Sequence, residues 1–273
     1  MIYFADSGAL ETGRFAFAVM ALGAVALIAA SLVVARRLAG TLAPWAWGGV
    51  TFVLSQLVRA PFLALVTGAV TGGAQPDAMS PAWIVLVTAA SLSAGIFEEG
   101  SRALILSTAG RRIRGTGPGV AYGLGHGATE ALLLVLTPAI AAIVLVGGIL
   151  DGSLSLNLPA ETAAALDQAA TLFATQTVGI SLIAILERAL AMTLHVILAL
   201  LVLRIVERGG GRSAIVRRLA LPIAIHASVN LVAVVAAQAF GVLVAEGLVA
   251  IAVANAARIY WFLPKSPTVR EAD

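Results

Sequence analysis

The chain has no cysteine. That absence removes disulfides, iron–sulfur clusters, thiolate zinc sites and cysteine nucleophiles together. Charge is scarce too. Asp, Glu, Lys and Arg make up 11% of the 273 residues, against 60% hydrophobic. Soluble chains carry about 25% charged residues, so a water-soluble globular domain is excluded. The formal net charge of +3 does not point to nucleic acid, because the bases sit in short loops between apolar runs, as orientation signals do. The N-terminus lacks the form of a signal peptide. Asp6 and Glu11 come early, and the apolar run that follows exceeds the h-region length of about 7–15 residues. No short internal repeat is visible, and nothing marks a second domain.

What the chain does have is long apolar stretches. A bilayer core of about 30 Å needs about 20 such residues per helix. Seven stretches qualify: 15–35, 45–70, 81–109, 117–148, 177–206, 217–239 and 242–264. The expected fold is all-α, a polytopic membrane helix bundle of about seven transmembrane helices in one integral membrane domain, residues 1–273. The arginines orient it. Arg36 and Arg37, Arg111, Arg112 and Arg114, Arg204, Arg208, Arg212, Arg217 and Arg218, and Arg258, Lys265 and Arg270 all fall on one side of a seven-span arrangement. The opposite loops hold Asp6, Glu11, Asp77, Asp151, Glu161 and Asp167, with Arg14 as their only base. The positive-inside rule then places the N-terminus outside and the C-terminus in the cytosol. In the longest outside loop, 149–176, Leu166, Ala169, Leu172 and Phe173 share a helical face, as a surface helix would. Trp45, Trp47, Tyr260 and Trp261 read as interfacial anchors.

Several charges remain inside the spans: Arg59, Glu98, Glu99, Arg102, Glu130, Glu187 and Arg188, together with His126, His195 and His226. A charge at a helix centre costs about 2.5–3.5 kcal/mol on an insertion scale, so these residues must pair, face a wet cavity or become neutral. Their spacing is periodic. Glu98 and Arg102 are one turn apart, as are Tyr122, His126 and Glu130, and His226 and Asn230; Arg188 and His195 are two turns apart. Four helices thus each carry a polar stripe. At 1.5 Å per residue the histidines lie about 12–18 Å from the nearest loop arginine. The expectation is one buried polar chamber, with Glu98 stacked on Arg102 and Glu99 turned away. Gly123, Gly125 and Gly127 around His126 allow either close helix packing or room for substrate. Arg59 on the second span, with Gln56 nearly one turn before it, is within reach of a carboxylate of the chamber.

The sequence contains no rhomboid-type serine signature, no GxGD and no HExxH. It does contain EEGSR (98–102), YGLGH (122–126), GHGATE (125–130), ERALAMTLH (187–195), HASVN (226–230) and QLVRAP (56–61). EEGSR, YGLGH and HASVN, in this order on separate spans, resemble the clan of CAAX prenyl endopeptidases and bacteriocin-processing membrane proteins, with PrsW-like peptidases as cousins, and the full set resembles the bacterial YhfC-like family of intramembrane peptidases, which implies a bacterial cytoplasmic membrane. The resemblance covers about residues 45–235. It departs from the CAAX pattern, which has three residues between the second glutamate and the arginine where this chain has two, so a prenylated CAAX substrate is not implied. Carried over by motif position, the resemblance implies that Glu98, assisted by His126, activates water to cut a membrane-associated peptide or protein. His226 and Asn230 would stabilise the oxyanion, with Glu99 and Arg102 in the catalytic set and Glu130, Glu187, Arg188 and His195 in support; Arg188 and Glu187 would hold Glu130 or Glu99 in place, or form an ion pair that locks the bundle. A metal version uses His126, His195 and His226 plus a carboxylate to hold a divalent ion such as zinc, with water in the open position and Glu98 or Glu99 as the base. The metal-free route, with no cofactor, is preferred because HxxxN suits an oxyanion site. A proton-coupled transporter also places such residues in a wet core, and a non-catalytic scaffold could keep a protease-like core. The expected partners are the lipid bilayer and the peptide substrate, not nucleic acid.

Overall fold

A computed structural model of the chain describes residues 6–154 and 159–263. Among these, every regular element is helical: α1 (Ser7–Ala39), α2 (Ala43–Thr71), α3 (Pro81–Ser107), α4 (Thr116–Ala131), a π-helical turn (Leu132–Leu136), α5 (Thr137–Leu150), α6 (Ala160–Ala174), α7 (Val178–Glu207), α8 (Arg212–Phe240) and α9 (Val242–Phe262). Seven helical stretches are long and apolar enough to cross a membrane, with α4, the π turn and α5 acting as one stretch, Thr116–Leu150. The protein is a multi-pass integral membrane protein. Lys265 and Arg270, assigned above to the cytosol, lie outside the described residues, as do residues 155–158 of the 149–176 loop.

Local chemistry sets the helix ends. Ser80 caps α3 by accepting from the Trp83 amide at 3.2 Å, and Pro81 follows at the first position, where a missing N–H costs nothing. Between α8 and α9, Gly241 has φ 88°, a conformation that glycine alone adopts freely, so one long apolar run becomes two helices. The π turn has a cause as well. Pro138 has no N–H to give to the carbonyl one turn back, and Thr137 Oγ1 donates to the Leu132 carbonyl at 2.9 Å.

The described chain forms two compact units. One comprises residues up to Ala30 with Glu130–Ala189. In it Leu10, Val146, Ile149 and Ala170 form a buried cluster, joined by Leu166 and Phe173. The 149–176 loop therefore does hold a helix, α6, but its face is split: Leu166 and Phe173 pack inward while Leu172 is 63% exposed. Phe173 also meets Phe17 edge-on at 5.5 Å.

The second unit comprises Ser31–Thr129 with Leu190 onward. Here α3 packs against α2 and α8, and α8 against α9. The C-terminal half of α7 is apolar and buried nearly all round, with Leu198, Val202 and Leu203 shared between two core clusters, as befits a helix inside a bundle rather than on its rim. Glycines set the helix spacing. A Cβ on Gly48 would lie 1.9 Å from the Tyr122 carbonyl, and one on Gly125 would lie 1.9 Å from the Trp45 carbonyl. A Cβ on Gly123 would lie 2.5 Å from the Val196 Cα and one on Gly127 2.9 Å from the Met192 Cα, both on α7, and one on Gly95 would lie 2.6 Å from the Ile223 carbonyl on α8. The glycines around His126 are thus contact points that pull α2, α4 and α7 together, not room for substrate. Trp45 and Trp47 also differ from expectation. The indole of Trp45 donates to Ser31 Oγ at 3.0 Å, and Trp47 packs on a core cluster, while Trp261 is 77% exposed.

Candidate functional site

Close packing of α2, α3, α4, α7 and α8 drives their polar stripes into one place in the second unit. Glu98, Glu99, Arg102, His126, His195 and His226 are all buried. The pairing differs from the spacing-based expectation. Arg102 grips Glu99, not Glu98: Nη1 donates to both Glu99 oxygens, at 2.7 Å to Oε1. Residues three apart on a helix are neighbours as much as residues four apart, so periodicity alone did not separate the two partners. What separated them was the neighbouring helices, because Glu98 is held by other groups.

Those groups are His126 on α4 and Gln56 on α2. His126 Nε2 lies 3.0 Å from Glu98 Oε2, and Gln56 Nε2 donates to Glu98 Oε1 at 3.3 Å. The Gln56 amide is oriented in turn. Its Oε1 accepts from Arg59 Nη1 at 3.1 Å, and its Nε2 also donates to Ser55 Oγ at 3.2 Å. Arg59 is tied to α3 through the Ala90 carbonyl and Ser93 Oγ. Arg59 therefore reaches the chamber only through Gln56, so QLVRAP contributes an amide donor where the sequence suggested a cation.

On the other side of α3, His226 Nδ1 lies 2.8 Å from Glu99 Oε1. A carboxylate accepts, so Nδ1 carries the proton and donates. His226 Nε2 then points toward Glu98 Oε2, at 3.8 Å. The three imidazole rings are adjacent: His126 and His195 are 4.6 Å apart between centroids, and His195 and His226 are 5.4 Å apart. Arg102 Nη2 donates to His195 Nδ1 at 3.2 Å, since a guanidinium has no acceptor. Phe52 closes the edge of His126, with ring centroids 5.2 Å apart. Tyr122, one turn before His126, does not join this network. Thr51 Oγ1 spends its proton on the Trp47 carbonyl at 2.8 Å, so the Tyr122 hydroxyl donates to Thr51, at 2.6 Å.

Asn230 is half-buried one turn beyond His226, and none of the hydrogen bonds joining the cluster reaches it. Glu130, Glu187 and Arg188 belong to the first unit and form an ion cluster of their own. Arg188 Nη1 lies 3.2 Å from Glu130, and Nη2 bonds Glu187. Gln56 and Ser55 are the site residues that motif reasoning left without a role. The signal was present: an amide one turn before an intramembrane arginine.

The chemistry of the donors is suited to a divalent cation. Glu98, His126 and His195 each offer a ligand atom, and all three atoms lie within 4.8 Å of one another. This close set contains Glu98, His126 and His195 and leaves out His226, which the sequence reading had included. Glu99 has Arg102 as its counter-charge, whereas the partners of Glu98 are His126, His226 and Gln56. A buried carboxylate is costly without a compensating proton or cation, and two imidazoles with one carboxylate form a common zinc set. The family model described as YhfC intramembrane metalloprotease matches residues 18–253. The chain belongs to this family. No curated protein and no solved structure matches it. The YhfC family description names a metal-dependent peptidase, and the Glu98–His126–His195 group is compatible with that chemistry.

Proposed function

We propose that this YhfC-family protein is an intramembrane endopeptidase that hydrolyses a peptide bond of a membrane-associated substrate with a water activated beside Glu98. The observation that carries the reading is the convergence of Glu98, His126 and His195 from three helices into one buried group. These three residues would hold a divalent ion such as zinc. Such an ion lowers the pKa of bound water and polarises a carbonyl. This departs from the metal-free preference of the sequence reading, because Glu98, the assigned base, lies in one buried group of ligand atoms with His126 and His195.

The remaining residues form a proton relay. Arg102 holds Glu99 by two hydrogen bonds, and Glu99 fixes the tautomer and orientation of His226. A carboxylate behind an imidazole does the same in hydrolases with a catalytic triad. His226 Nε2 then faces Glu98 and takes a proton from the attacking water. The imidazolium formed is stabilised by Glu99, donates toward the developing oxyanion and passes its proton to the departing amine. Asn230, on the same face of α8, supplies a second donor to the oxyanion. Gln56, oriented by Arg59, keeps one Glu98 oxygen in place. Burial of the whole group in a low-dielectric setting strengthens each of these interactions.

The test compares the N-termini of membrane proteins in cells carrying wild type, Glu98→Gln or His226→Ala at equal expression, with metal analysis of the purified proteins. New N-termini present with wild type and lost in both variants are expected, along with stoichiometric metal in wild type. Identical N-termini in all three strains would overturn the peptidase reading.

A further inference from the structure

The ends of α7 and α8 enclose a second polar feature, eight residues before His226 along α8. A cavity of about 340 Å³ is lined by Arg204 from α7, by Arg208 just past its end, and by Arg217 and Arg218 from α8. Leu201 and Leu221 are among its apolar lining residues, and among the described residues no acidic side chain lines it. The volume is in the range of small-ligand sites.

Two of the arginines are already fixed. The Arg204 guanidinium lies over the Tyr260 ring, 3.7 Å from its centroid, and Nη1 donates to the Tyr260 carbonyl at 2.7 Å. Arg218 Nη1 donates to the Gly209 carbonyl at 2.8 Å. That bond braces the turn Gly209–Gly211, in which all three glycines have positive φ, 63°, 84° and 35°. The turn brings the last turn of α7 and the first turns of α8 to one cavity, at an entropic cost set by three glycines. Four guanidinium groups around one small space repel one another, and an anion there relieves the repulsion. Phosphate suits them, because the guanidinium fork matches its oxygens in pairs.

The surroundings identify the kind of phosphate. The cavity lies where two spanning helices end, on the face that the arginine distribution assigns to the cytosol, where anionic lipids attract basic groups. Leu221 lines the cavity and is 38% exposed, and Val216, next to Arg217 on α8, is 66% exposed. A soluble phosphate has no use for these apolar side chains, whereas acyl chains would lie along them. We propose that this cavity binds the phosphate of an anionic phospholipid, headgroup among the arginines and chains along Val216 and Leu221.

Native mass spectrometry of the full-length protein, reconstituted with equal phosphatidylglycerol and phosphatidylcholine, tests this. Wild type should retain phosphatidylglycerol selectively. Arg217→Gln, at an exposed position, should lower the retained phosphatidylglycerol about fivefold. Arg111→Gln, which removes the same charge from another exposed site, should leave it unchanged. Equal loss in both variants would mean a general basic surface, and no loss in Arg217→Gln would mean no site. Either result overturns the proposal. So does complete displacement of the lipid by inorganic phosphate, which would make soluble phosphate the ligand.

Discussion

Two groups of charge lie within the apolar spans, and each contains two glutamates and one arginine. Glu99, Glu98 and Arg102 sit with three histidines, and their side chains are 0–5% exposed. Glu130, Glu187 and Arg188 sit without histidine, and their side chains are 12–41% exposed. In the second group both carboxylates bond the same guanidinium, which offsets one of their two negative charges. In the first, Arg102 serves Glu99, and Glu98 is left to imidazoles and an amide. The difference teaches that the number of intramembrane charges says little about role. A carboxylate matched to arginine locks helices, while a carboxylate matched to titratable or metal-binding groups is available for chemistry.

The comparison can be broken most forcefully at Glu98. Replacing it by glutamine keeps the shape and removes the charge, and peptidase turnover should fall by about 10²–10⁴-fold with an unchanged thermal midpoint. A variant that still cuts would place the chemistry elsewhere. Next comes Arg102→Met, which strands the fully buried Glu99. Loss of about 3–5 kcal/mol of stability is expected, read by denaturant titration in detergent. The double variant Glu99→Gln/Arg102→Met should regain most of that stability without regaining activity, because His226 keeps no carboxylate behind it. If activity returned with the fold, the Glu99–His226 relay would be refuted.

The same kind of truncation in the other group should matter less. Arg188→Met should cost about 1–2 kcal/mol, the scale of polar contacts between membrane helices, and turnover per folded molecule should match wild type. A large drop in turnover at unchanged stability would merge the two groups functionally. Packing provides the smallest pair of effects. Gly125→Ala drives a methyl group into the Trp45 carbonyl and should destabilise by about 1–3 kcal/mol. Gly100→Ala, which meets nothing within 4 Å, should change stability by less than about 0.5 kcal/mol.

Several features were legible before any coordinates. Hydropathy located all seven spans to within a few residues at most ends, because the bilayer demands length and apolarity from every spanning helix. The exceptions have local causes, as at α1, which starts eight residues earlier than its apolar run and carries Glu11 and Arg14 in its first turns. Helical periodicity correctly grouped Glu98, His126, His195 and His226 as candidates for one chamber. It failed at the Arg102 partner, which is Glu99, while Arg188 does meet Glu130, one of the two partners the sequence offered it.

By its sequence alone, this chain determined that it crosses the membrane as helices, that it buries histidines and carboxylates there, and which family it resembles. Apolar length and intramembrane charge are properties of single segments, so no folding is needed to read them. The tertiary structure decided which oxygen meets which nitrogen. A spacing of three or four residues names a helix face, but not how that helix is rotated against its neighbours. That rotation is set where Gly48, Gly95, Gly123, Gly125 and Gly127 let backbones touch. It is what gives Arg102 to Glu99, Gln56 to Glu98, and leaves His226 Nε2 facing Glu98.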